Sequence, residues 1–114
     1  MTALELSELS VRRLLSRRRQ LAARFSEPEQ ALRGVLLSKG RRCSSEGCRC
    51  RGGELHGPYS YLAVYSEGRS RTVYVPQSLC APAERHVRVT QRNEALLAEI
   101  SQVNLELLRR RALG

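Results

Sequence analysis

The sequence predicts an α+β fold: a long N-terminal helix, a three-stranded antiparallel sheet interrupted by a Cys/His loop, and a long C-terminal helix able to form a coiled coil. Three observations predict it. Apolar residues recur at three- and four-residue steps near both ends of the chain. Between them, the segment Tyr59 to Tyr65 sets Tyr59, Tyr61 and Tyr65 on one face and Leu62 and Val64 on the other, which is the period of a strand. Finally, Cys43, Cys48, Cys50 and His56 crowd one polar stretch just before that strand. At 114 residues the chain is one small domain with elaborations, and one Phe, four Tyr and no Trp leave only a modest core.

From Thr2 to about Ser26 the pattern reads as a helix, opened by Thr2 with Glu5 placed to complete a capping box. Leu4, Val11, Leu14, Leu21 and Phe25 form a narrow apolar seam that also takes in Ser7 and Arg18. Ser26-Glu27-Pro28-Glu29 stops it and caps a short helical turn running to about Arg33. Gly34 to Ser38 is compatible with a strand leading into the cysteine loop. After the Tyr59–Tyr65 strand, Ser66-Glu67-Gly68-Arg69 is a hairpin turn, and Ser70 to Val75 returns until Pro76 ends it.

From about Pro82 to Arg111 the chain is helical again. Val89, Asn93, Leu96, Ile100, Val103 and Leu107 make a heptad-like seam with Asn93 as its polar member. A helix of some 30 residues spans about 45 Å, too long for a small sheet to cover. It must pack on the N-terminal helix, on a second copy of itself, or on both. The chain therefore divides into an arginine-rich helical arm (1–33), a loop and β-hairpin module (34–80) and an amphipathic helix (81–114).

The cysteine loop carries the most specific chemistry. Its spacing is C-x4-C-x-C-x5-H, and the neighbours Ser44, Ser45, Glu46, Gly47, Arg49 and Arg51 offer no apolar shelter. A bound zinc ion held by Cys43, Cys48, Cys50 and His56 is the best physical reason for the grouping, and a closed Cys3His set of this kind is structural. Free thiols or a disulfide from Cys43 are the alternatives. Cys48 and Cys50 are poorly spaced to bridge each other. Cys80 competes with His56 for the fourth position if the hairpin returns it to the loop.

The net charge is +9 and the pI near 10.4. Nearly all of the positive charge is Arg, Lys39 is the only lysine, and Asp is absent. A basic surface of this kind attracts phosphate. No run approaches the ~18 to 20 apolar residues of a membrane span. The N-terminus lacks the pattern of a secretory signal, so the expected compartment is a reducing cytoplasm.

The central segment resembles an uncharacterised domain family common in bacteria and archaea and often seen beside transposase genes and other mobile-element genes. The residues that carry the resemblance are Arg41-Arg42-Cys43, Cys48, Cys50, His56-Gly57-Pro58-Tyr59, Tyr61, the turn at Gly68 and Tyr74-Val75-Pro76. It is tight from Gly34 to Pro76 and loose over the last helix. Ser44-Ser45-Glu46-Gly47 departs from the family's Gly-Lys-Pro-x without removing a ligand. The resemblance implies a fold, a metal site and a mobile-element setting, and supplies no reaction.

Function is read accordingly. The leading expectation is a nucleic-acid-binding accessory protein of a mobile element, with DNA favoured over RNA. Arg41, Arg42, Arg49 and Arg51 in the loop and Arg69 and Arg71 at the hairpin turn would meet phosphate, and Tyr59, Tyr61 or Tyr65 would stack on bases. The alternatives are a solvated arginine face and a tyrosine layer under the helices. A second expectation, of a different class, is a homodimer or higher oligomer acting as an adaptor for a recombinase or transposase, with Asn93 fixing helix register. An enzyme is the least favoured class: no nucleophile–base pair or phosphate loop can be identified in the sequence, His86 lies far along the chain from the cysteine loop, and Glu54 is the only candidate base beside the metal ligands.

Overall fold

The computed structural model describes residues 1–41, 47, 48, 52, 53 and 55–114. Arg42, Cys43, Arg49, Cys50, Arg51 and Glu54, all singled out above, lie outside the described residues. The fold is α+β, with a three-stranded antiparallel sheet and a long C-terminal helix. The chain forms two compact units, Met1–Gln30 with Val89–Gly114, and Ala31–Arg88.

In the first unit, two short helices, α1 (Ala3–Ser7) and α2 (Val11–Ala22), stand where the sequence predicts one long helix. The predicted cap at Thr2 is present: Glu5 N donates to Thr2 Oγ1 at 3.2 Å. The apolar seam conceals a second cap. Ser10 adopts extended backbone (φ −69°, ψ 159°) and its Oγ accepts from Arg13 N at 3.2 Å. An N-cap residue in that conformation ends any helix behind it and begins another. The break also changes the seam: of the predicted members Leu4 and Val11 are exposed, and Leu6 takes the buried place in α1.

Helix α3 (Cys80–Arg109) supplies the rest of this unit from Val89 onward. Leu6, Leu14 and Leu21 bury against Leu96, Val103 and Leu107, and Leu14 and Leu107 are fully enclosed. The seam predicted on α3 thus packs on the N-terminal helices of its own chain. Asn93 is not idle in it: Nδ2 donates to Ser26 O at 2.7 Å and Oδ1 accepts from Ser26 N at 3.3 Å. Arg110 closes the other end, donating to the carbonyls of Leu6 at 3.0 Å, Ser7 at 2.8 Å and Leu9, at and just beyond the C-terminal end of α1 where helical acceptors run short of donors.

In the second unit, strands β1 (Val35–Arg41), β2 (His56–Ser66) and β3 (Arg69–Val75) pair antiparallel in the order β1-β2-β3. The predicted hairpin forms, with Ser66 opposite Arg69. Glu67 and Gly68 both take positive φ, 55° and 75°, as a two-residue hairpin turn with the right-handed strand twist requires. Leu62 and Val75 bury against Val87, flanked by Leu32, Leu36, Val64, Cys80 and Ala83. One face of the sheet is thereby covered by the first turns of α3. Among the described residues, no helix is long and apolar enough to cross a membrane.

Candidate functional site

Strand register decides what the other face of the sheet presents. Leu36, Leu62 and Val73 are directly opposed across the strands and share the face that includes the buried cluster. The next set, Leu37, Tyr61 and Tyr74, points the opposite way, and so does the pair Lys39 and Tyr59. Among the described residues, neither core cluster contains a tyrosine.

The rings form one group. Tyr74 meets Tyr59 with centroids 6.4 Å apart at 70°, and meets Tyr61 at 5.9 Å and 66°. These are edge-to-face contacts, which place the positive rim of one ring on the negative face of the next. Lys39 Nζ lies 4.9 Å from the centroid of Tyr61, a cation–π distance. Tyr59 and Tyr61 are half-buried, whereas Tyr74 is 55% exposed. Val35 and Leu37 continue the face and are also exposed. Tyr65, near the hairpin turn, is 74% exposed.

At the far end of this face Arg41, His56, Tyr59 and Tyr74 line an open concavity of about 380 Å³. The ladder shifts between Lys39 and Arg41, and the shift brings Arg41 opposite His56. Gly40 permits it: a Cβ there would fall 2.7 Å from Leu55 Cβ, closer than any side chain tolerates.

His56 also meets Cys48. Their Sγ and Nε2 atoms stand 2.9 Å apart. A tetrahedral zinc ion, with bonds of about 2.3 Å to sulfur and about 2.0 Å to nitrogen, separates such ligands by about 3.5 Å. The two donors are thus of the right kind and within a small movement of that spacing. Of the four predicted ligands, Cys48 and His56 come together, and Cys43 and Cys50 lie outside the described residues. Among the described residues, no group of three or more His, Cys, Asp or Glu is placed to hold a metal. Cys80 sits against the core cluster, its Sγ 3.5 Å from Pro76 O and 3.9 Å from Val75 O.

The predicted phosphate contacts divide. Arg41 lies with the tyrosines, while Arg69 and Arg71 fall in phase with Val73 and Val75 and so project from the other side of the ribbon. In the N-terminal helices, Arg17 pairs with Glu99 at 3.3 Å and Arg18 donates to Asn104 at 2.9 Å, so these two brace α3. Two members of the face went unrecognised as site residues: Tyr74 and Lys39. Tyr74 was accessible in principle, because counting outward from the Glu67-Gly68 turn sets it opposite Tyr61. Lys39 needs the register of β1, which no short turn fixes.

A family model described as a domain of unknown function (DUF6788) matches residues 11–85. The chain belongs to this family. The DUF6788 match begins at the first residue of α2, spans the whole sheet and stops in the first turns of α3, so it includes every described residue of the aromatic face. No curated protein and no solved structure matches the chain.

Proposed function

We propose that the protein binds nucleic acid, DNA in preference to RNA, as an accessory protein of a mobile genetic element. The observation that carries this reading is the placement of Lys39 and Arg41 on the same sheet face as the Tyr59–Tyr61–Tyr74 cluster. Cations beside partly exposed aromatic rings match a ligand made of phosphates and planar bases. Arg42, Arg49 and Arg51 in the loop, and Arg69 and Arg71 on the reverse of the ribbon, add to the positive field of a chain carrying +9. Zinc held by Cys43, Cys48, Cys50 and His56 would tie the loop to the end of this face. The Cys48–His56 approach supports that. The mobile-element setting rests on the resemblance of the segment from Gly34 to Pro76.

An adaptor reading has one observation in its favour. Leu97, Leu105 and Leu108 are exposed on neighbouring faces of α3, an apolar strip suited to a second copy of this chain or to a recombinase or transposase. Salt separates the two. With about two or three phosphate contacts, affinity for a labelled oligonucleotide should fall roughly 10- to 50-fold as salt rises from about 50 to about 200 mM, along a straight line in log–log coordinates. Fluorescence anisotropy measures it. Absence of oligonucleotide binding at the lower salt concentration, together with a salt-insensitive oligomer in sedimentation, would replace the nucleic-acid reading by the adaptor one.

A further inference from the structure

We infer that the sheet face selects single-stranded nucleic acid and holds its bases by stacking on Tyr59, Tyr61 and Tyr74. The inference rests on the nucleic-acid reading above and adds the form of the ligand.

Consider what the face offers a duplex. Groove reading needs side chains that carry donors and acceptors to base edges, typically Arg, Asn or Gln. Away from its cationic end this face carries two small hydroxyls, Ser70 and Thr72, and otherwise Val35, Leu37, Tyr61, Ala63, Tyr65 and Tyr74. Those are surfaces for planes, not for edges. In a duplex the base planes are already stacked on one another, so the rings would find only sugar and phosphate. An unpaired strand can splay its bases, and each then offers a π-face.

The spacing is suited to it. Tyr59 and Tyr61 are two residues apart on one strand, about 6.7 Å, which is roughly the gap left when one base is inserted between two stacked planes. Tyr74 on the neighbouring strand bridges both rings and is the most exposed of the three. Lys39 over Tyr61 and Arg41 beside Tyr59 put a cation at two of the three rings of β2. A backbone running along β2 would therefore meet positive charge as each base is seated. The same charge complementarity makes an oligonucleotide a better occupant of this apolar face than a second copy of a chain that is itself +9.

The chain is its own reporter: with no Trp and four Tyr, all of them in this sheet, its intrinsic fluorescence comes from the sheet's tyrosines. The experiment titrates the full chain with a 12-nucleotide oligothymidine and with a hairpin duplex of equal phosphate number, reading tyrosine quenching and anisotropy together. The expected result is tighter binding of the single strand by about 10-fold or more, with quenching. Tyr74→Leu should weaken single-strand binding by about 5- to 100-fold, and Tyr74→Phe, which keeps the ring, should retain most of it. Circular dichroism checks that both variants keep the sheet, and Tyr61→Leu repeats the test if Tyr74→Leu does not fold. Equal affinity for the two forms, or a folded Leu variant that binds the single strand as the parent does, would overturn the inference while leaving salt-dependent nucleic-acid binding intact. No binding of either form would overturn both readings. Tyrosine quenching that follows protein concentration without oligonucleotide would assign the face to self-association instead.

Discussion

Cys48 and His56 come within 2.9 Å across eight positions of chain, and His56 also lines the concavity beneath Tyr59 and Tyr74. One imidazole therefore ties the cysteine loop to the aromatic face. If zinc holds the four predicted ligands, Cys48→Ser should lower bound metal from about one ion per chain to well below it, and the thermal transition should fall with it, since metal binding is coupled to folding. Plasma mass spectrometry of protein prepared without chelator gives the first quantity and circular dichroism the second. A variant that keeps both would remove zinc from the account. The spacing of Cys and His was readable from sequence because those residue types have few other reasons to share a polar loop. Asn93 shows the opposite limit. Its place on the α3 seam was plain, yet its partner is the backbone of Ser26, 67 positions away, which no local pattern specifies.

Among the elements, the two strands joined by Glu67-Gly68 and the 30-residue helix were legible for clear reasons. The first has period-2 alternation and a turn residue free to take positive φ, and the second a seam at four- and three-residue steps. The N-terminal break was not, because Leu4 and Val11 fit an unbroken helical seam, whereas the break exposes both and sends Leu6 into the core beside Leu14 and Leu21. Ser10 was the overlooked signal. Replacing it by Ala removes the hydroxyl that accepts from Arg13 N, and should cost about 1 kcal/mol of stability in urea unfolding. A change near zero would mean that Ser10 does not set the boundary.

For the whole molecule, charge and aromatic placement carry more than composition alone foretold. Arg17 and Arg18, which the sequence grouped with a basic helical arm, pair with Glu99 and Asn104. Lys39, the chain's single lysine, joins the tyrosines instead. The field that reaches a ligand is therefore not spread evenly over the arginines. Ultraviolet crosslinking of the full chain to an oligonucleotide, followed by mass spectrometry of the crosslinked peptides, tests this most directly. The account predicts adducts in peptides containing Tyr59, Tyr61 and Tyr74. Adducts confined to the arginine-rich helix Val11–Ala22, with none in the sheet, would contradict it.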